Sequence, residues 1–460
     1  MLKYHVKKLR GTEMSKLLSY NPATGEMIGD VPVTTEDEIN EMVRRAHEAQ
    51  KDWAAIDIDR RIAILKQAAS ELQKESQKIA LLLSREMGKD LRRSYGEVAG
   101  SAGSIEYVAN QVKAAIEPVS LYGGQSVIEY NPLGVCAIIS PWNYPVSMAH
   151  WMLIPALAAG NAAVLKPSEE TPLVALAYVN VLNRVLPEGL LQVVFGDENQ
   201  GRMLVKADVN LIAFTGSMAA GSEIMSEAGK DLKPVIMELG GKDPCIVLED
   251  ADLDEAARFA ISNSIENAGQ MCISTERIFV DSKVADEFVD RLKAYLPYFR
   301  TGPYTDPEAN VGPIINDRQR DSILGQIRDA VEKGAVVAAG DENHPDHFIN
   351  PLILTGVTDD MLVAKEETFG PLVCVTVFEN LDDAIESANG TDYGLGGVVF
   401  GGYDAEYAAS RLEAGMVGIN TGAGGGGDTP WVGAKKSGVG YHGSPDGHRK
   451  FTQAKVVNRA

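Results

Sequence analysis

The sequence Gly134-Val135-Cys136-Ala137-Ile138-Ile139-Ser140-Pro141-Trp142-Asn143-Tyr144-Pro145 places a short apolar run directly before a proline-rich turn. A run of this length, closed by Gly and Pro, is typical of a β-strand that is buried on both faces. Further runs follow, separated by helical patterns: Ala162–Leu165, Leu191–Phe195, Leu211–Phe214 and Val235–Leu239. Short buried strands that alternate with helices predict a parallel sheet in an α/β fold.

The segments on both sides of this stretch extend the pattern. Residues 36–115 are predicted to be helical because apolar residues recur there at steps of three and four: Ile62, Leu65, Ala69 and Leu72. Residues 118–130 change to strand-like pieces around Gly123-Gly124, which indicates a hairpin. After Asp250, strand-like runs return and predict a second α/β domain: Ile278–Val280, Val336–Ala339, Val373–Phe378 and Gly396–Phe400.

The composition restricts the classes of function. The chain has 460 residues and a formal net charge of −21, from 64 acidic and 43 basic side chains. This charge disfavours binding to nucleic acid phosphates or to an anionic membrane surface. The longest apolar run, Trp151 to Leu165, is interrupted by Pro155 and Gly160 and is too short to span a bilayer. We therefore expect neither nucleic acid nor membrane as a partner.

Cysteine and histidine usage predicts a cytoplasmic protein without a metal site. The cysteines stand singly, without a CxxC motif or a disulfide framework, as is usual in a reducing compartment: Cys136, Cys245, Cys272 and Cys374. His344 and His347 lie in a loop-like run and are not predicted to hold a metal. Residues 1–13 lack the apolar stretch of a signal peptide and are predicted to be an extension without a structural role, ahead of the ordered domain.

Two polar segments directly follow predicted strands, where α/β sheets bind their ligands. The turn Pro141–Pro145 holds Asn143, whose amide can donate a hydrogen bond to an oxyanion. The alternative is that Asn143 caps the following helix. At the end of the next strand, Lys166 and Glu169 can both reach the hydroxyls of a bound ribose, or they form a solvated surface pair.

A third segment, Phe214-Thr215-Gly216-Ser217 with Gly221, follows a predicted strand and precedes a helical pattern. Small residues there leave backbone N–H groups at the helix N-terminus open to a phosphate. The segment is not GxGxxG, so it is a weak dinucleotide fingerprint on its own.

Two glycine-containing segments, Met237–Lys242 (MELGGK) and Asn267–Cys272 (NAGQMC), carry a candidate base and a candidate nucleophile. The Gly pair after Glu238 exposes backbone and carboxylate, and Gly269 is expected to do the same for Cys272 on a helix. A lone Cys is often inert core filling. A Cys in a polar, Gly-flanked segment is a reactive thiol if a neighbour lowers its pKa or removes its proton. Because no His is near either segment, Glu238 is the predicted base.

These five segments, with Glu366-Glu367-Thr368-Phe369-Gly370-Pro371 and Lys436-Ser437-Gly438, resemble the NAD(P)-dependent aldehyde dehydrogenase superfamily. The resemblance runs from about Tyr20 to Val457, and ELGGK followed by GQ-x-C is specific to it. It implies a Rossmann-like dinucleotide-binding domain, a second α/β catalytic domain and a small β oligomerisation arm. The implied ranges are 14–116 with 134–240, then 241–443, and 117–133 with 444–460. An exposed edge strand in the arm implies a homodimer or homotetramer.

The resemblance also implies a role for each matching residue. Cys272 matches the nucleophile, Glu238 the base that activates water, and Asn143 with the Cys272 backbone N–H the oxyanion site. The implied reaction oxidises an aldehyde to the carboxylic acid with NAD+ through a thiohemiacetal and a thioester on the cysteine. The positions that match cofactor contacts are Trp142, Lys166, Glu169, Gly196, Ser217, Glu367 and Phe369. The positions that match the substrate end are Met148, Trp151 and Trp431.

Cofactor and substrate preferences are less sharply indicated. A carboxylate at Glu169 would accept from the ribose 2′-hydroxyl and repel a 2′-phosphate, so NAD is expected, with NADP as the alternative. Family members that oxidise succinate semialdehyde are similar in having an arginine at the place of Trp151. Its absence predicts a medium-sized, uncharged or weakly polar aliphatic or aromatic aldehyde. The glycine run 424–427 and the segment 431–434 depart from the family pattern, which predicts either a wide pocket or a loop that is mobile until substrate binds.

Four other functions compete with this prediction. A succinate-semialdehyde type of dehydrogenase differs only in its substrate. An enzyme that transfers the acyl group to coenzyme A generally lacks the base, so Glu238 speaks against it. A non-catalytic NAD-binding structural protein would not need Cys272, Asn143 and Glu238 together. A Cys-dependent hydrolase would not need the ribose and phosphate segments.

Overall fold

The computed structural model describes residues 15–459, so the predicted extension at residues 1–13 lies outside the described part of the chain. The elements up to the glutamate of MELGGK are, in order, β1 Lys16–Tyr20, β2 Met27–Pro32, α1 Glu36–Ala55, α2 Ile58–Met87, α3 Leu91–Ala115, β3 Val119–Leu121, β4 Ser126–Pro132, β5 Val135–Ser140, α4 Ser147–Ala158, β6 Ala162–Pro167, α5 Pro172–Leu182, β7 Leu191–Val193, α6 Glu198–Lys206, β8 Leu211–Thr215, α7 Met218–Ala228 and β9 Val235–Glu238.

The elements that follow belong mostly to a second large sheet and its helices. They are β10 Asp243–Val247, α8 Leu253–Ile265, β11 Thr275–Asp281, α9 Ala285–Tyr295, α10 Asp317–Glu332, β12 Val336–Gly340, β13 Leu352–Thr355, α11 Leu362–Lys365, β14 Leu372–Phe378, α12 Leu381–Asn389, β15 Gly396–Phe400, α13 Ala405–Arg411, β16 Met416–Ile419, β17 Gly438–Val439, α14 Pro445–Arg449 and β18 Thr452–Asn458.

The predicted helical region is confirmed as α1, α2 and α3. The first helix begins at a capping box: the Thr35 side chain accepts from the Glu38 backbone N–H, and the Glu38 carboxylate accepts from the Thr35 backbone N–H. The second ends at Gly88, whose φ of +92° is left-handed. No helix in residues 15–459 is both long and apolar enough to cross a membrane.

The first large sheet has six strands in the order β17-β9-β8-β5-β6-β7. Neighbours from β9 to β7 are parallel, and only β17 runs antiparallel, beside β9. All six residues of β5 are buried, as expected for a strand covered on both faces. Because the five parallel strands point the same way, the segments that follow them share one edge of the sheet.

The second large sheet has seven strands in the order β12-β13-β14-β11-β10-β15-β16 and is parallel except for β12. The predicted α/β fold class is therefore confirmed, and the predicted strand Gly396–Phe400 has the observed bounds. Three strands of this sheet were not predicted: β10, β13 and β16. The first of them begins with Asp243-Pro244, which obscured its apolar run, although its five residues are all buried.

A third sheet joins two distant parts of the chain in the order β18-β4-β3. The hairpin predicted at Gly123-Gly124 is confirmed, since β3 and β4 pair antiparallel around it. The C-terminal strand pairs with β4 from Thr452 opposite Pro132 to Asn458 opposite Ser126. The residue ranges assigned to domains stay a prediction, and β17, which lies within the range predicted as catalytic, pairs with β9 of the first sheet.

Candidate active site

The turn after β5 aims the side chain of Asn143 at the segment that carries the candidate nucleophile. Asn143 is 5% exposed, and its Nδ2 donates to the backbone carbonyl of Gln270 at 3.1 Å. The following helix α4 has no side-chain cap. Its first N–H groups, those of Val146 and Ser147, donate instead to Glu97 Oε1 of α3 at 2.9 and 3.1 Å. The alternative of a helix-capping asparagine is therefore wrong.

The candidate nucleophile Cys272 lies in a tight turn before β11, not on a helix as expected. The residues Asn267, Ala268 and Gly269 have φ values of +53°, +58° and +72°. Consecutive left-handed residues are costly outside glycine and cluster at functional sites. A Cβ on Gly269 would lie 2.0 Å from the carbonyl oxygen of Gly370, so only glycine fits. The turn is held by Gln270, whose amide donates to the carbonyl of Asn267 at 3.1 Å.

The glycine pair of MELGGK lets two other segments approach the end of β9. A Cβ on Gly240 would lie 2.4 Å from a carboxylate oxygen of Glu367, and one on Gly241 would lie 2.3 Å from the carbonyl oxygen of Cys272. The N–H of Gly241 donates to Glu367 Oε1 at 3.1 Å. Glu238 is the last residue of β9 and is 7% exposed. The segments of Glu238, Cys272 and Glu367 therefore meet at one place.

The electrostatic environment keeps the Cys272 thiol protonated at rest. Burial, followed by the carboxylates of Glu238, Asp243 and Glu367, raises its pKa, because each of them disfavours a thiolate. The remaining cysteines are free and buried, as expected for thiols without a catalytic role: Cys136, Cys245 and Cys374. A nucleophile in this environment must lose its proton as it attacks.

The structure places a histidine beside the candidate base that the sequence did not indicate. His442 Nε2 lies 2.5 Å from Glu238 Oε1, and the two side chains are 3% and 7% exposed. His442 comes from the segment after β17, and its backbone carbonyl accepts from Trp431 N at 2.9 Å. No local pattern marks this histidine, since only the pairing of β17 with β9 brings the two segments together.

Two of the three predicted substrate residues contact each other. The rings of Trp151 and Trp431 lie edge to face at 5.6 Å, and Trp151 lies edge to face with His442 at 5.3 Å. Trp151 is 38% exposed, so this aromatic group faces an opening. Met148 is half-buried on α4, three residues before Trp151, and so lies on the same face of the helix.

The glycine run 424–427 is an exposed loop next to the aromatic group. A Cβ on Gly424 would contact the Trp431 ring at 3.5 Å and Ile273 at 4.0 Å. The loop continues into Asp428, whose carboxylate accepts from the hydroxyl of Tyr107 on α3 at 3.4 Å.

The predicted cofactor residues lie along the edge where the parallel strands end. Lys166 Nζ is 3.4 Å from Glu169 Oε2 after β6, and Lys166 is 4% exposed. Gly196 follows β7 with a φ of +148°, and a Cβ there would strike Gln200. Ser217 is exposed at the N-terminus of α7. Polar groups of this kind, ending at a helix N-terminus, fit the ribose and pyrophosphate of a dinucleotide.

Two further predicted cofactor residues, Trp142 and Phe369, are brought together edge to face at 5.5 Å. Phe369 has a left-handed φ of +51°, which is strained for an aromatic residue. Its backbone N–H donates to Glu276 Oε1 at 2.9 Å, and Glu276 forms a buried ion pair with Lys242 at 2.5 Å. Burial, followed by the Glu276 carboxylate, raises the pKa of the nearby Glu367 to about 8.

The described residues contain no group of three or more His, Cys, Asp or Glu side chains arranged to hold a metal. His347 Nε2 pairs with Asp317 at 2.8 Å, and His344 Nδ1 accepts from the N–H of Asn350 at 3.1 Å.

Comparison with known proteins assigns the family. The model of the aldehyde dehydrogenase family matches residues 9–457. A succinate-semialdehyde dehydrogenase [NADP(+)] of Deinococcus radiodurans is 36% identical over 447 residues, 95% of this chain and 93% of that protein. The crystal structure of an aldehyde dehydrogenase from Brucella melitensis biovar abortus 2308 matches with a TM-score of 0.93 and 36% identity, over 96% of this chain and 93% of that one.

The structure of an NAD-dependent aldehyde dehydrogenase from Sinorhizobium meliloti also has a TM-score of 0.93, at 30% identity over 97% of this chain and 91% of that one. The chain belongs to the aldehyde dehydrogenase family. It is an oxidoreductase that acts on an aldehyde, as the resemblance implied.

Proposed function

We propose that this chain oxidises an aldehyde to the carboxylic acid by covalent catalysis, with Cys272 as nucleophile, Asn143 as oxyanion donor and Glu238 as base. The observation that carries the proposal is the meeting of three segments at the end of β9. There, Gly241 contacts the Cys272 backbone, and the negative charge of Glu238 contributes to the raised pKa of the Cys272 thiol.

The first half of the reaction is the attack of Cys272 Sγ on the aldehyde carbon. The thiol, which is half-buried, gives its proton to solvent water as the carbon–sulfur bond forms, and the carbonyl oxygen becomes an oxyanion. Asn143 Nδ2 donates one hydrogen to the Gln270 carbonyl. Its second hydrogen and the Cys272 backbone N–H are proposed to donate to this oxyanion. When bound, the nicotinamide supplies the hydride acceptor that turns this adduct into a thioester.

The second half is hydrolysis of the thioester. Glu238 removes a proton from water, the water oxygen bonds to the thioester carbon, and the carbon–sulfur bond breaks. The newly formed acid gives its hydroxyl proton to the Cys272 thiolate and leaves as the carboxylate, so Cys272 returns as a thiol and Glu238 carries the proton taken from water. The raised pKa of this thiol favours its reprotonation at the end of the cycle.

The proposed cofactor is NAD, held by Lys166 and Glu169 at the adenosine ribose, by Ser217 at the pyrophosphate, and by Glu367 with Phe369 at the nicotinamide ribose. Trp142 and Gly196 are proposed as further positions that line the cofactor. The names of relatives point both ways, since the Deinococcus enzyme is named for NADP and the Sinorhizobium enzyme for NAD. The Glu169 carboxylate favours NAD because it would repel a 2′-phosphate.

The proposed substrate is a medium-sized, uncharged or weakly polar aldehyde. The wall formed by Trp151, Trp431 and His442 supports this proposal because it offers aromatic faces beside the catalytic residues. The name of the Deinococcus relative supports the alternative, succinate semialdehyde. The arginine nearest to Cys272 in sequence, Arg277, donates to the carbonyls of Lys242 and Ala388 and is 5% exposed, so it does not meet a substrate carboxylate.

The sheet β18-β4-β3 is proposed to mediate assembly into a homodimer or homotetramer, as the arm of residues 117–133 and 444–460. Its exposed apolar residues support this role, with Tyr122 81% and Val456 62% exposed. The two α/β units that the arm would bridge are proposed at residues 14–116 with 134–240 and at 241–443. Light scattering tests the assembly, and a monomer at working concentration would contradict it.

The catalytic assignment is tested with Cys272→Ala and Glu238→Gln, followed by NADH absorbance in stopped-flow and steady-state assays. Cys272→Ala should abolish NADH formation. Glu238→Gln should keep a single burst of NADH and then stall, since the thioester forms but is not hydrolysed. Cys374→Ala, a change at a buried thiol on β14, is the control and should behave as the wild type in both the stopped-flow and the steady-state assay. Normal steady-state turnover in Cys272→Ala would refute the mechanism.

A further inference from the structure

We propose that His442 is a positioning residue for the hydrolytic half-reaction. It holds the Glu238 carboxylate in place and accepts the proton that Glu238 removes from water. This inference rests on the proposed role of Glu238 as the base. It concerns only what happens to the proton afterwards, and so it can fail while the base assignment holds.

The contact between the two side chains is close and sheltered. His442 Nε2 and Glu238 Oε1 are 2.5 Å apart, and both side chains are almost fully buried. Neither atom has a well-aligned hydrogen bond in the described structure. The two atoms are therefore close enough for a proton to pass directly from the carboxyl oxygen to the imidazole nitrogen.

The imidazole is held in place from several sides. Trp151 lies against the ring edge to face, and the His442 backbone carbonyl accepts from Trp431 N. A Cβ on Gly447 would lie 2.7 Å from the His442 carbonyl carbon, so α14 packs directly against the histidine backbone. A ring restrained in this way gives Glu238 a partner at a constant distance.

The chemistry requires such an acceptor. After one hydrolysis Glu238 carries the water proton and cannot act again until it has lost it. Because Glu238 is buried, bulk water has little access to the carboxyl group. The O–H bond of Glu238 breaks, an N–H bond forms at His442 Nε2, and the carboxylate is restored. The imidazolium then returns the proton to solvent through the opening at Trp151.

The neighbouring titratable groups do not oppose this transfer. Besides Glu238, the region contains His448 of α14 and Asp428 of the glycine loop. Burial, followed by the charge of His442, lowers the pKa of His448 to about 4, so His448 is neutral near pH 7. Asp428 is acidic and favours a positive charge in this region.

The test compares His442→Gln, which keeps a hydrogen-bonding side chain but cannot accept the proton, with His448→Gln as the matched control on the same segment. Burst and steady-state NADH formation are measured across pH, with thermal unfolding for both variants. His442→Gln should keep the burst amplitude, lose roughly a hundredfold in steady-state kcat, and change the pH profile of kcat. His448→Gln should resemble the wild type in burst amplitude, steady-state kcat and the pH profile of kcat.

Chemical rescue separates proton transfer from structural support. His442→Ala leaves room for free imidazole, and added imidazole should restore part of its steady-state rate without changing the burst. Wild-type kcat and pH profile in His442→Gln would overturn the proposal. Equal loss of burst and turnover, with a lowered unfolding temperature and no rescue by imidazole, would also overturn it, by showing that His442 only supports the fold. Absence of a burst in Glu238→Gln would instead contradict the proposed function, since that variant should form the thioester and then stall.

Discussion

Gly241 lies directly against the backbone of Cys272, close enough that a Cβ on the glycine would be 2.3 Å from the cysteine carbonyl oxygen. The glycine belongs to the segment after β9, and the cysteine belongs to the turn before β11. The two large sheets therefore meet where the candidate base and the candidate nucleophile lie. This contact leaves no room for any side chain between them.

Gly241→Ala should reduce turnover strongly, since the added methyl group must push the Cys272 turn away from Glu238. Overpacking of this kind costs about 1–3 kcal/mol of stability, and we expect at least a tenfold loss in kcat/KM. Gly103→Ala on α3, where a Cβ meets nothing within 4 Å, is the control and should leave activity unchanged. For both variants, steady-state NADH formation measures the activity and thermal unfolding measures the stability. An active, equally stable Gly241→Ala would show that this contact is not required.

The reactivity of Cys272 should depend on pH in the alkaline direction. Burial and the neighbouring carboxylates raise the pKa of the thiol, so the thiolate, and with it the rate of alkylation by iodoacetamide, should grow from neutral into alkaline pH. Glu238→Gln removes one negative charge, lowers the Cys272 pKa and should move the curve to lower pH.

The control for this alkylation experiment is Glu366→Gln, at an exposed carboxylate in the neighbouring segment, which should leave the curve in place. Cys272→Ala defines the background from the buried thiols. A fast alkylation rate that is already constant at neutral pH would contradict the electrostatic description.

Glu169 should set the cofactor preference. Glu169→Gln keeps the shape of the side chain but removes the charge that repels a 2′-phosphate, and the ratio of kcat/KM for NAD over NADP should fall about tenfold, or ~1.4 kcal/mol. Glu170→Gln, at the adjacent carboxylate that accepts from Asn316 Nδ2, is the matched control. A wild-type enzyme that clearly prefers NADP would end this proposal.

Trp151 should determine the class of aldehyde. Among hexanal, benzaldehyde, betaine aldehyde and succinate semialdehyde, we expect the wild type to prefer the uncharged substrates. Trp151→Arg should raise kcat/KM for succinate semialdehyde by roughly tenfold or more, since a charge-assisted bond becomes available. Trp151→Gln should lower the rate with hexanal without that gain. A wild type that prefers succinate semialdehyde by a large factor would refute the apolar substrate proposal.

Local sequence was sufficient to predict elements with a complete local pattern, either an uninterrupted apolar run for a strand or apolar residues at steps of three and four for a helix. The strand Gly396–Phe400 and the helical region 36–115 were predicted because their patterns are complete in the chain itself. β10 was missed because Asp243-Pro244 opens it, and only its parallel partners β11 and β15 make it a strand. The helix expected at Cys272 was wrong because three consecutive left-handed residues, a property of the tertiary packing, form a turn there.

The sequence by itself determined the family, the order of the motifs and the residue types available for chemistry, because each motif is contiguous and its glycines mark where other segments come close. Only the tertiary structure decided which motifs face each other. The antiparallel pairing of β17 with β9 brings His442 next to Glu238, although the two residues are separated in sequence by almost all of the predicted catalytic range 241–443. No periodicity or spacing encodes that contact, since it depends on how a distant strand adds to the edge of a completed sheet.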